Sequence, residues 1–236
     1  MRDSTPSVNA RVLRSLRNHG ARHTFRAGLR HVSTWLSRLL DRHFDPAFGT
    51  ETRTVIENQH LTDVISPNLI RGIRYEPTRA LPFRRALAAA HIPTDGGFVD
   101  LGCGKGRVLI LAVQCGFQQV TGVDYSRGLC QSAEQNLQAF RSRSKRAFRA
   151  KVLTMDAADY AFTKDDTVVY LFNPFDAVVL AAVLARLQRS LERNPRAVWI
   201  LYHNPMWRAA IDATGAFNHV TDVTSGGSTF AVYRSR

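Results

Sequence analysis

Apolar residues in this chain gather into short runs that alternate with helical stretches. Strands are predicted over 98–100, 119–124, 150–154, 167–172 and 197–202, each a brief apolar run bounded by glycine, proline or polar residues. Helices are predicted at 82–91, from Val108 onward, from about Ser126, and over 177–193, where Val, Leu and Ala dominate. Two last strands, about 217–223 and 229–234, flank Ser225-Gly226-Gly227-Ser228, a good hairpin turn. Nearer the start, Phe25, Leu29, Val32, Leu36, Leu39 and Leu40 recur at helical spacing, with arginines on the other faces. Such a basic amphipathic helix packs on its own domain or lies on a membrane surface, and the first reading is favoured. Strand and helix in alternation predict an α/β fold with parallel strands whose carboxyl ends bind a ligand.

The chemistry sits at those strand ends. FVDLGCGKGRVL, residues 98–109, reads as a strand carrying Asp100, then a loop with Gly102, Gly104 and Gly106, then a helix. Glycine tolerates positive φ and lets backbone approach a ligand closely. A dinucleotide fingerprint wants a third glycine where Arg107 stands, and Asp100 would sit badly beside a pyrophosphate. A cationic amino group suits it better. Cys103 in the loop reads as a small space-filler. The second strand ends in Asp124-Tyr125, and Asp124 lies 24 positions after Asp100, the spacing that places an acid on a ribose diol. Alone, Asp124 would be a helix N-cap candidate. The third strand leads to Met155-Asp156 and the fourth to Asn173-Pro174-Phe175; either, alone, would be a turn.

In this order the four strand ends resemble the class I S-adenosylmethionine (SAM) methyltransferases. The resemblance implies a Rossmann-like seven-stranded sheet, order 3-2-1-4-5-7-6, with an antiparallel last pair. It implies SAM as cofactor, held by Asp100, Gly102, Cys103, Gly104, Gly106, Asp124, Tyr125, Met155 and Asp156. Asn173-Pro174-Phe175 resembles the [D/N]-P-P-[Y/F] motif of enzymes that methylate amino or amide nitrogen, shortened by one proline. Those three residues are the catalytic candidates. His203, at a later strand end, is a weaker candidate base.

Ahead of the sheet, Phe48-Gly49-Thr50-Glu51-Thr52-Arg53-Thr54 and Tyr75-Glu76-Pro77-Thr78 are similar to elements of an uncharacterised bacterial methyltransferase family. The chain departs from it at Glu51 and Thr54. The Y-x-P-T element also resembles lysine methyltransferases that modify the ATP synthase c-subunit. By that resemblance Tyr75 and Thr78 contact the cofactor; otherwise they pack the start of the following helix. The expected division is a basic, partly helical extension over 1–43 and a methyltransferase domain over 44–236.

Composition narrows the remaining choices. In 236 residues, 44% hydrophobic content is sufficient for a core, and no apolar run is long enough to span a bilayer. Cys103, Cys115 and Cys130 lack metal or disulfide spacing, which suits a reducing, cytoplasmic setting. The first 20 residues lack the apolar stretch of a secretory signal, although their Arg-rich, acid-poor character also fits a mitochondrial transit peptide. Net charge is +13, with nine arginines among residues 1–44 and an acid-free cluster at Arg141, Arg143, Lys145, Arg146, Arg149 and Lys151. Such patches attract an anionic partner or are solvated faces. The acceptor is expected to be a nitrogen, with protein lysine ahead of RNA or a small molecule; a non-catalytic SAM-binding protein with a basic arm is the other reading.

Overall fold

The computed structural model describes residues 74–236 throughout and, before them, residues 32, 34, 35, 37–39, 41–57, 63–66, 68, 71 and 72. After a short helix α1 (Phe44–Phe48) and α2 (Ala80–Ala89), strands and helices alternate: β1 (Gly97–Leu101), α3 (Arg107–Cys115), β2 (Gln119–Asp124), α4 (Arg127–Arg143), β3 (Arg149–Thr154), β4 (Asp166–Leu171), α5 (Ala177–Arg193) and β5 (Trp199–His203). A short α6 (Arg208–Asp212) precedes the hairpin of β6 (Phe217–Ser225) and β7 (Ser228–Ser235).

The sheet order is β3-β2-β1-β4-β5-β7-β6, as expected from the resemblance. β1 to β5 pair in parallel, while β7 runs antiparallel to both β5 and β6. β1 is buried along its whole length, because helices cover both faces of a parallel sheet and leave no polar side. One apolar layer joins α2, α3 and Phe140 of α4 to the sheet; the other joins α5 to the opposite face. β3, at the edge, is half-exposed. The β6–β7 turn uses Gly226 and Gly227 at φ 57° and 81°, the consecutive positive values that a two-residue hairpin turn requires.

Two caps fix where helices begin. Ser126 Oγ accepts from Leu129 N at 3.2 Å, and Asp176 Oδ1 accepts from Val178 N and Val179 N at 3.0 and 3.2 Å. Ser126, not Asp124, therefore caps α4, which removes the capping alternative for Asp124. The apolar stripe expected over 25–40 lies mostly outside the described residues. Of its members, Val32 and Leu39 are exposed, while Ser37 is fully buried, so the described part does not turn this stripe inward. Asp41 nevertheless reaches the domain, accepting from Ala80 N at 3.1 Å. No helix among the described residues is long and apolar enough to cross a membrane.

Candidate functional site

The carboxyl ends of β1, β2 and β4 surround a cavity of about 360 Å³. The loop after β1 is shaped by its backbone. Gly102 N and Cys103 N donate to Val123 O at 2.8 and 3.0 Å, and Gly102, Gly104 and Gly106 all have positive φ. A Cβ on Gly102 would collide with Pro174, and one on Gly104 with the Tyr75 ring. The glycines make room for protein groups, not only for a ligand, and this corrects the sequence expectation. Gly104, Gly106 and Met155 do not line the cavity; Met155 packs under it beside the α5-side core.

Asp124 is buried and holds two loops. Its Oδ2 accepts from Gly104 N at 2.9 Å and its Oδ1 from Ser126 N at 3.0 Å. Burial raises its pKa to about 6, against the pull of those backbone N–H groups. Asp100 differs. It is 2% exposed and lines the cavity, yet among the described residues no N–H, O–H or cation reaches its carboxylate. Burial first, and the Asp124 charge second, hold its carboxyl well above the usual range. Two neighbouring buried carboxylates, one without a partner, form a site that favours a cation. Cys103 lines the same wall, and burial pushes its thiol up, away from nucleophilic character.

Across the cavity most polar groups pair within the protein, while His203 Nε2 is buried without a partner among the described residues. Asn173 sits at φ 42°, with Nδ2 donating to Asn204 O at 2.5 Å and Oδ1 accepting from Met206 N at 3.3 Å. Asn204, at the end of the next strand, also has positive φ. Pro174 and Phe175 line the cavity, Phe175 almost wholly buried. Below them runs a polar chain: Thr78 Oγ1 lies 2.7 Å from Tyr170 Oη, which lies 3.1 Å from His203 Nδ1. Thr78 and Tyr170 line the cavity, but His203 does not; it is stacked between Phe172 and Phe230 at centroid distances of 3.8 and 4.4 Å. Burial, then the Arg79 charge, lowers its pKa to about 3. His203 is thus a neutral core histidine.

The residues before β1 close the cavity. Asp156 Oδ1 accepts from Ala158 N at 2.8 Å, while Oδ2 takes Ser66 Oγ and, at 2.8 Å, Asn68 Nδ2. Arg71 pairs with Asp176 at 2.6 Å, and Gly72 bridges to Phe175. Asp63 accepts from Ser126 Oγ and Gly128 N. Tyr75, half-buried, donates from Oη to Thr52 O at 2.7 Å while its ring faces the cavity. Tyr75 and Thr78 therefore both line the cavity and pack the protein.

Arg107, singled out only as a missing glycine, is the hub of this segment. It is buried over the Phe44 ring at 3.9 Å and donates to Thr78 O, Thr52 Oγ1 and Asp41 Oδ1 at 2.7, 2.9 and 2.6 Å. Lys105 pairs with Glu51, and Asn136 accepts from Glu51 N at 2.7 Å. Thr52, Glu51 and Thr78 belong to the two elements recognised before β1, whereas Asp41 and Asn136 lie in no recognised pattern. The available signal was an arginine at the head of an otherwise apolar helix, Val108 to Val113, since a charge drawn into a core needs partners. Among the described residues no cluster of His, Cys, Asp and Glu could hold a metal ion.

Residues 98–194 match a family model described as "Methyltransferase domain". The fold is similar to magnesium protoporphyrin IX methyltransferase of Synechocystis PCC 6803, solved with bound SAM: TM-score 0.50, 16% identity, over 66% of this chain and 78% of that one. It is also similar to yhhF of Escherichia coli: TM-score 0.50, 18% identity, over 74% of this chain and 97% of that one. No protein of curated function matches the sequence. The sheet order and these similarities give this chain a Rossmann-like fold shared with SAM-dependent methyltransferases, and the match to the methyltransferase-domain family spans residues 98–194.

Proposed function

We propose that this protein methylates a nitrogen, with protein lysine as the favoured acceptor, and that residues 44–236 act as its catalytic domain. The observation that carries the cofactor half is Asp100, a buried carboxylate facing a cavity with no partner among the described residues. SAM fits this wall, because its ammonium would neutralise Asp100 and its ribose diol would donate to Asp124. A carboxylate has about four acceptor sites, so the two backbone N–H groups on Asp124 leave room for hydroxyls. Asp156 and Tyr125 would bound the adenine, and Tyr75 and Thr78 the methionine end, with the glycine loop between. When bound, SAM supplies a methyl group made electrophilic by its sulfonium.

The chain's own task is to position the acceptor. Asn173 Oδ1 has a long bond to Met206 N and a second lone pair, so it can accept an N–H from the substrate. Pro174 O is a second acceptor, and Phe175 bounds the slot in which an amine stem would lie. Two such acceptors aim the nitrogen lone pair, an orientation effect. The lysine preference rests on the Y-x-P-T element, the nitrogen preference on Asn-Pro-Phe. Nucleic acid is the second reading. It is favoured by the exposed cluster at Arg141, Arg143, Lys145, Arg146, Arg149 and Lys151. Transfer of labelled methyl from SAM to a lysate, followed by protease or nuclease digestion, tests both. Protease-sensitive label on lysine supports the proposal. Nuclease-sensitive label replaces it with the second reading, and binding without any transfer defeats both.

A further inference from the structure

A second cavity, about 330 Å³, lies beside the first and shares Arg107 and Glu76 with it. Its wall carries five guanidinium groups, from Arg38, Arg42, Arg53, Arg79 and Arg107, against the carboxylates of Asp41 and Glu76. The two acids are engaged in part, with Asp41 Oδ2 buried and without a partner among the described residues. Asp41 Oδ1 accepts from Arg107 and from Ala80 N, and Glu76 lies 3.4 Å from Arg74. Arg107 is likewise spent, and Arg79 Nη1 donates to Gly226 O at 2.7 Å. Arg38, Arg42 and Arg53 are exposed and make no ion pair or hydrogen bond with any described residue.

We propose that this cavity binds a small phosphate- or pyrophosphate-bearing anion. Arg38 and Arg42 stand four residues apart in a helical stretch, the spacing that puts both on one face, where like charges repel. Arg53 and Arg79 bring two more cations to the same space from different segments. Like charges gathered from three segments are unfavourable unless an anion neutralises them, and guanidinium forks match phosphate oxygens with paired hydrogen bonds. The cavity is sized for a small anion and not for a macromolecular surface. Because the anion would tie the helical stretch to the segments at 53 and 79, it would stiffen the wall that the two cavities share.

The test is calorimetric titration of the full chain with inorganic pyrophosphate at low salt, repeated on Arg42→Gln, Arg53→Gln and Arg146→Gln. Arg146 is exposed, in the separate basic cluster. Saturable binding is expected in the parent, weakened about tenfold or more in each cavity variant and unchanged in Arg146→Gln. Thermal unfolding without pyrophosphate, and SAM titration of the same variants, check that they fold. Absence of saturable binding in the parent overturns the proposal, as does equal weakening in Arg146→Gln or none in the cavity variants. SAM binding that persists while pyrophosphate binding fails would sink this inference alone and leave the methyltransferase reading intact.

Discussion

The two sides of the main cavity handle buried polar groups in opposite ways. At the ends of β1 and β2 stand carboxylates whose charged form is disfavoured by burial, Asp100 without a partner and Asp124 with backbone N–H groups alone. At the ends of β4 and β5 stand neutral groups that pair with one another, Asn173 with Asn204 and Met206, and Tyr170 with Thr78 and His203, leaving only His203 Nε2 among them buried without a partner. Buried charge with little or no pairing marks the side proposed for the cofactor. Neutral groups tied to one another mark the more rigid side, on which a substrate would be held still. The two sides also titrate with opposite sign. Asp124 has a folded pKa raised to about 6, so its contribution to stability is full below its unfolded value and is lost as pH rises through about 6. His203 has a folded pKa lowered to about 3, so its contribution is full above about 6.5 and is lost as pH falls toward 3.

The largest effect is expected from Gly104→Ala. The residue sits at φ 50° and a Cβ would strike the Tyr75 ring, so the glycine loop and the segment over it cannot both keep their places. A loss of about 3 kcal/mol or more should appear in urea unfolding. A loss below about 1 kcal/mol would show that the loop is not held from outside.

His203→Phe comes next. Between pH 7 and pH 4.5, protonation of the unfolded imidazole should cost the parent roughly 2–3 kcal/mol that the variant does not lose. Identical acid sensitivity in the two proteins would remove His203 from the neutral side of the comparison.

Asn173 separates rigidity from chemistry. Asn173→Ala should cost about 2 kcal/mol, since it leaves Asn204 O unpaired and keeps a Cβ at positive φ. Asn173→Gly should recover much of that stability yet lose on the order of 10²-fold in methyl transfer, with SAM affinity unchanged. Full transfer in the glycine variant would make Asn173 purely structural.

The smallest effect is expected from Asp124→Asn, about 1 kcal/mol in SAM affinity by calorimetry, because the amide retains an acceptor but not the charge. An unchanged dissociation constant would return Asp124 to loop support alone.

The same division decides what the sequence could reveal. The sheet and its strand ends were legible because each strand is a short apolar run and each polar terminus follows it directly. The 177–193 helix begins and ends where its pattern predicts. The residues before β1 were not legible in this way. Their order comes from contacts across the chain, such as Asp41 with Arg107 and Ser66 with Asp156, which leave no periodic trace. For the glycines, sequence indicated that bulk is excluded. Only the fold identified the excluding groups at Gly102 and Gly104 as Pro174 and Tyr75. At Asp124, capping and ligand contact predict the same residue type, and the hydroxyl of Ser126 two positions on decides the capping question.

The most direct test is Asp100→Asn, followed by thermal unfolding without ligand and by SAM calorimetry near pH 8. Removing a buried, unpartnered charge should raise the melting temperature of the free protein, while loss of the counter-charge for the ammonium should weaken SAM about 100-fold. Greater stability together with weaker binding is the result predicted for a carboxylate kept for its ligand. An unchanged SAM affinity, or a variant that is less stable without SAM, would contradict it.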